Sequence, residues 1–213
     1  FGLAQRLGID LPHEKMGLIA SAKFYDKVYG HHRWKYPTIY SLSIGQGETG
    51  VTPLQMANLV TIMANRGYYY TPHLVRGIGK DAHPLPEYEQ KHYTAVDPKY
   101  FEPIIDGMQD VVDYGTGSFA KLRRSANVVV CGKTGTAENP HGDDHAVFAA
   151  FAPRDNPKIA IAVYVENAGF GAISAAPLAG CMIEKYLTDS ISPERKRWEE
   201  WVKGNNFKPK HKH

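Results

Sequence analysis

The chain has no apolar run of the roughly 18 residues that a membrane-spanning helix needs, and it does not open on a signal peptide. Cysteine is scarce. Cys131 and Cys181 are the only two, and their separation fits neither a zinc site nor a redox pair. Both sit in apolar stretches, so they are expected to be small buried residues, and they leave the redox compartment open. Charge of one sign is also lacking, because a formal net charge of +3 is too small to draw a nucleic acid as partner. Much of that excess falls at the end, in Lys208, Lys210 and Lys212 with His211 and His213, a tail expected to be solvated. His31, His32 and His92 lie in irregular segments without metal spacing, so no metal is expected. There is no internal repeat.

What remains is an ordinary globular composition over 213 residues, 43% apolar and 22% charged, enough for one sizeable core or two small ones. Residues 9–50 show little periodicity and many aromatics, glycines and prolines, which predicts an irregular, extended stretch. Thr52-Pro53 caps and starts a helix over 54–65 that stops near Gly67. It is apolar nearly all round and therefore expected to be buried. A short strand is predicted at 73–76 and a polar loop over 79–95. Asp97-Pro98 starts a second helix, with Phe101, Ile104, Ile105, Met108, Val111 and Val112 on one stripe. The apolar runs at 128–131, 146–152 and 159–165 are too close in sequence for crossover helices, so they predict an antiparallel meander. A helix over 172–187 follows, apolar at Ile173, Pro177, Leu178, Cys181, Met182 and Tyr186. The last helix, 193–202, turns Trp198, Trp201 and Val202 inward and leaves 194–197 solvated. The fold class is α+β, a partial antiparallel sheet packed with helices.

Cys131-Gly132-Lys133-Thr134-Gly135-Thr136-Ala137 ends the first of those three strands. A glycine inside a strand lets a ligand or another backbone approach closely. Hydroxyls at Thr134 and Thr136 beside the Lys133 ammonium suit a carboxylate next to a reacting carbonyl, and the Thr136 N–H suits a developing oxyanion. Three residues are a weak signal, and a glycine bulge on an edge strand accounts for them equally well.

The rest of the chain favours the first reading. Gly132-Lys133-Thr134-Gly135-Thr136-Ala137 resembles the third motif of the penicillin-binding proteins and serine β-lactamases. Ser43-Ile44-Gly45-Gln46-Gly47, with Val51-Thr52-Pro53-Leu54-Gln55-Met56-Ala57, resembles the helix entry of the class B penicillin-binding proteins. Gly8-Ile9-Asp10-Leu11-Pro12, Glu14 and Gly17 are similar to a stretch those enzymes carry further upstream. Asp144-His145-Ala146, Phe148, Phe151-Ala152-Pro153 and Glu166-Asn167 resemble the elongation-type branch. The likeness runs over residues 1–187.

By that resemblance, residues 1–190 are the C-terminal part of a transpeptidase domain of the β-lactamase-like fold, and 191–213 a charged helix and basic tail. The implied function is peptidoglycan D,D-transpeptidation, with Lys133 and Thr136 as catalytic residues and Thr134, Gly135 and Thr136 binding substrate. No cofactor is implied. The implied partners are peptidoglycan stem peptides and β-lactams and, for the intact protein, a polymerising glycosyltransferase and elongation-complex proteins. The implied place is the periplasmic face of the inner membrane, with an anchor upstream. Residues 1–8 read like the end of a helix, so the chain is expected to be a fragment, inactive alone. The rival readings are a non-catalytic module that binds other proteins, and a relative that works as a D,D-carboxypeptidase, β-lactamase or β-lactam sensor.

The family's serine nucleophile, in Ser-x-x-Lys, and its Ser-x-Asn are expected upstream of Phe1. Ser118-Phe119-Ala120-Lys121 and Ser125-Ala126-Asn127 fit those patterns but crowd too close to Lys133. At strand rise Asn127 is about 20 Å from it. Ser118 is read as a helix cap, and His145 beside Asp144 as a backbone anchor rather than a base. The strand at 159–165 is expected to lack a neighbour on one side.

Overall fold

A computed structural model of the protein describes residues 1–80, 82–123 and 127–204. They divide into two units, Phe1–Gln55 with Tyr70–Gln90, and Met56–Tyr69 with Lys91–His213. Ser125, Ala126 and the basic tail at 208–213 lie outside the described residues.

The first unit contains two short helices where an irregular stretch was predicted, α1 (Ala22–Tyr29) and α2 (Tyr36–Ser43). Ser21 caps α1 by accepting the Phe24 N–H at 3.3 Å. Only Tyr25 of α1 is buried and no residue of α2 is, so neither helix rests on a wide buried face. Tyr25 and Tyr29 instead share the Glu48 carboxylate, and Trp34 Nε1 donates to Asp26 at 2.8 Å. The strand predicted at 73–76 does not form. The Leu74 and Val75 N–H groups go to the Asp10 carboxylate at 2.8–3.0 Å, and those bonds hold its pKa below the usual value. The predicted loop over 79–95 contains the short helix α4 (Pro86–Glu89) and the strand β2 (Lys91–Tyr93), which pairs with β1 (Tyr68–Tyr70).

Helix α3 (Pro53–Ala64) starts as its sequence requires. Thr52 Oγ1 accepts the Gln55 N–H at 3.1 Å and Gln55 Oε1 accepts the Thr52 N–H at 3.0 Å, a reciprocal capping box. A single 3₁₀ turn at Pro98–Tyr100 leads into α5 (Glu102–Asp113), which buries Ile105, Met108 and Val112.

The meander is present as β3 (Cys131–Ala137), β4 (His145–Ala152) and β5 (Ile159–Val165), antiparallel and in sequence order. The register pairs Cys131 with Phe151 and Ala137 with His145, then Ala146 with Val165 and Ala152 with Ile159. The central strand is apolar from Ala146 to Ala152 because both its faces are covered. Phe148, Ala150 and Ala152 pack with Ala175, Ala179 and Ile183 of α6 (Ala175–Thr188). Ala149 and Phe151 pack on the other side with Ile62, Phe101 and Ile105. This is the expected α+β architecture, with helices on both faces of an antiparallel sheet. Among the described residues β3 and β5 each pair only with β4, so β5 has the open side its sequence position suggested.

Two expectations about the last helices change. α6 buries Pro177 and Cys181 as expected, but the rest of its inner face is Ala175, Ala176, Ala179 and Ile183, while Met182 and Tyr186, and Ile173 before the helix, are exposed. Small side chains let the helix axis approach the sheet, a steric gain that hydrophobic periodicity does not register. On α7 (Pro193–Gly204) the segment read as solvated contains Arg195, which is only 7% exposed. Its guanidinium pairs with Glu184 at 3.5 Å and donates to the carbonyls of Phe119 and Lys121.

Candidate active site

Side chains alternate along a strand, so β3 sends Thr134 and Thr136 to one face and Lys133 to the other. The two threonines line one open groove of about 380 Å³, together with Thr116, Gly135 and residues 170–173. Lys133 is the third residue of a seven-residue strand rather than its last. Its Nζ donates to the Thr134 carbonyl at 2.8 Å. It lines a separate apolar cavity of about 440 Å³ with Met56, Leu59 and Met63 of α3 and Ile104 and Val111 of α5. Hydroxyls and ammonium therefore flank the same backbone from opposite sides. The motif's two glycines have different reasons. A Cβ on Gly132 would stand 2.5 Å from the Phe148 ring, whereas one on Gly135 would meet only Val147, at 3.4 Å. The core needs Gly132 bare. At Gly135 a Cβ would point to the Lys133 side, beside Val147, at ordinary contact distance.

The sequence reading missed half of the groove. Thr116 Oγ1 lies 2.7 Å from Thr134 Oγ1, held in a turn where the Gly117 N–H bonds the Val111 carbonyl at 2.8 Å. A hydroxyl between two glycines, Gly115-Thr116-Gly117, was the available signal. The opposite wall is the segment after β5, with Phe170 65% and Ile173 52% exposed. Ser174 is fully buried, and its Oγ staples this segment to the carbonyls of Ala168 and Phe170 at 2.9 and 3.1 Å. Gly171 lies flat on the sheet, where a Cβ would come within 2.2 Å of the Val147 carbonyl and 2.4 Å of that of Gly135. Gly171→Ala is expected to lift this wall and cost about 1–3 kcal/mol. Urea unfolding of the variant checks it, and wild-type stability would show that the segment does not rest on the strands.

Ser118 is the first residue of a 3₁₀ turn (Ser118–Ala120) whose N-cap position is Gly117, so it does not have the capping role expected of it. Lys121, its sequence partner in the Ser-x-x-Lys pattern, is paired with Asp113 at 2.7 Å. His145 is an anchor as expected, since its Nδ1 accepts the Asn167 N–H at 3.1 Å. Asp144 accepts the Asn139 N–H at 3.2 Å. Cys131 and Cys181 are both buried free thiols, and burial pushes the Cys131 pKa up to about 12. His92, read as a surface residue, is half-buried and stacks on Tyr69 at 5.0 Å. Among the described residues no three His, Cys, Asp or Glu side chains gather as a metal site.

Most of the chain is similar to known proteins. The penicillin binding protein transpeptidase domain matches residues 1–184. The peptidoglycan D,D-transpeptidase MrdA of Haemophilus influenzae is 36% identical over 210 residues, covering 90% of this chain and 32% of that protein. MrdA of Escherichia coli K12 is 31% identical over 205 residues, covering 88% and 31%. The chain thus spans about a third of the length of the curated relatives it matches. The crystal structure of Pseudomonas aeruginosa PBP2 in complex with WCK 5153 superposes with a TM-score of 0.74 at 32% identity, covering 91% of this chain and 42% of that one. PBP2 of Helicobacter pylori, in its complex with MreC, gives 0.71 at 25% identity, covering 87% and 33%. The chain belongs to the penicillin binding protein transpeptidase domain family.

Proposed function

We propose that the full-length protein is a peptidoglycan D,D-transpeptidase and that this groove receives the carboxylate end of its donor peptide. The observation that carries the reading is the placement of Thr134 and Thr136 on one face of an edge strand, facing one groove, in a chain of the transpeptidase family. In this proposal a serine from another part of the protein attacks the penultimate D-alanine carbonyl. Its proton passes to a base and the terminal D-alanine leaves, giving an acyl-enzyme. An amine of a neighbouring stem peptide then displaces the serine. Thr134 and Thr136 hydroxyls donate to the terminal carboxylate, Lys133 supplies positive potential across the strand, and the Thr136 N–H stabilises the oxyanion. When Thr134 donates to a carboxylate, its oxygen is left to accept from Thr116, so the hydroxyl pair would point its protons toward the ligand.

β-Lactams, which present a carboxylate beside a strained acyl group, belong to the same proposal. So do a polymerising glycosyltransferase and elongation-complex partners, the latter supported by likeness to the Helicobacter pylori protein solved with MreC. Residence at the periplasmic face of the inner membrane is also part of it. Among the described residues no helix is long and apolar enough to cross a membrane, so the proposal places the anchor elsewhere in the protein.

The test is to incubate the full-length protein with a fluorescent penicillin and locate the adduct by mass spectrometry. A stoichiometric adduct on a serine other than Ser118 is expected. No adduct, or one on Ser118, would overturn the assignment.

A further inference from the structure

The wall of the groove opposite Thr116 consists of residues 170–173, and they belong to a segment whose backbone twice turns left-handed, at Asn167 (φ 54°) and Gly169 (φ 70°). A non-glycine residue in that region is held there by its surroundings. The surroundings are two adjacent residues at the start of β4. His145 Nδ1 accepts the Asn167 N–H at 3.1 Å, and the Asp144 carbonyl accepts the Gly169 N–H at 2.8 Å. A backbone amide can only donate, so the imidazole serves here as acceptor through Nδ1 and carries its proton on Nε2. His145 also pairs in register with Ala137, the residue after Thr136. Its ring rests against Tyr164 of β5, with centroids 5.4 Å apart. His145 therefore bonds the bend at Asn167 that precedes the wall, rests its ring on Tyr164 of β5, and pairs through its backbone with the end of the threonine strand.

Other described bonds reinforce this arrangement. Asn139 Nδ2 reaches the Asn167 side chain at 2.9 Å rather than its backbone, and Ser174 closes the segment on itself. Among the hydrogen bonds described, His145 makes the one side-chain bond from β4 that fixes the backbone at the bend.

We infer that His145 is a positioning residue for the proposed acyl-transfer site: its Nδ1 sets the distance between the Thr134–Thr136 face and the wall at 170–173. The inference rests on the transpeptidase reading for its activity measurement and on geometry alone for the rest. It assigns His145 no contact with substrate and no transfer of a proton.

Two substitutions separate acceptor from ring. His145→Phe keeps an aromatic ring against Tyr164 and removes the acceptor. His145→Asn removes the ring and returns an acceptor, since Asn Oδ1 stands about where Nδ1 stood. In the full-length protein, His145→Phe is expected to lower the second-order rate of acylation by fluorescent penicillin about tenfold, the scale of one lost hydrogen bond. Amide exchange of residues 166–174, read by mass spectrometry, should accelerate with it. His145→Asn should stay within about threefold of wild type in both measurements. An Asn variant as impaired as the Phe variant, or a Phe variant that acylates and exchanges like wild type, would overturn the inference. If wild type itself fails to acylate, the transpeptidase reading falls, and the exchange comparison still decides whether His145 holds the wall.

Discussion

Replacing Arg195 with alanine is expected to destabilise the protein by about 3–5 kcal/mol, the cost of leaving one partner of a buried ion pair unmatched. Arg195 and Glu184 are both under 10% exposed and lie 3.5 Å apart. The guanidinium also donates to the carbonyls of Phe119 and Lys121. It passes directly over α6 at Gly180, where a Cβ would stand 2.3 Å from Nη1, so α7 is latched to α6 through a gap that only glycine leaves open. Glu184 keeps two other donors, the N–H and hydroxyl of Ser192, each at 3.2 Å. The double variant Arg195→Met with Glu184→Met should recover part of the loss, because well-packed apolar side chains can match a buried pair, while the Ser192 donors and the Phe119 and Lys121 carbonyls lose their partners. Urea denaturation of Arg195→Ala, and of Arg195→Met, Glu184→Met and their double variant compared as a cycle, checks this. A single variant within about 0.5 kcal/mol of wild type would mean that the pair is solvated after all.

The largest functional effect should come from Lys133. Its side chain is exposed, and its described hydrogen bond is to the carbonyl of the next residue in its own strand. Lys133→Ala is therefore expected to change unfolding free energy by no more than about 0.5 kcal/mol. In the full-length protein it should lower the acylation rate with penicillin by about 10²–10³-fold, the usual effect of removing one preorganised electrostatic group from an acyl-transfer site. Lys133→Arg should recover part of the rate, because the charge is kept and the reach is altered. Stability and acylation measured on the same preparations separate the two effects. A Lys133→Ala variant that acylates at the wild-type rate would remove Lys133 from the machinery.

Much of the architecture was readable where local chemistry and packing agree. Thr52-Pro53 with Gln55 wrote the start of α3, and three short apolar runs with short links wrote the meander. Alternation alone placed Thr134 and Thr136 together. The misreadings share a cause: a distant partner claimed groups that local pattern assigned elsewhere. Asp10 takes the amides that would have made a strand at 74–75. Glu48 and Asp26 hold Tyr25 and Tyr29 of α1 and Trp34 by side-chain hydrogen bonds. Glu184 draws Arg195 inward from a helix that reads as charged. The far wall of the groove was illegible for the same reason, since nothing within 166–174 says that its backbone will lie on β3 and β4.

The thiol of Cys131 offers a use for the burial described above. It is the first residue of the strand that carries Lys133 and Thr134, it is fully enclosed, and its pKa is pushed up to about 12. In the folded protein it presents neither access nor thiolate to an alkylating reagent. Both arrive together when β3, an outer strand, peels away from β4. The native sequence thus carries a built-in clock on its own motif strand. The pace of alkylation at Cys131 measures how often that strand opens, and a ligand that seats in the groove and bonds the strand slows the clock in proportion to its hold.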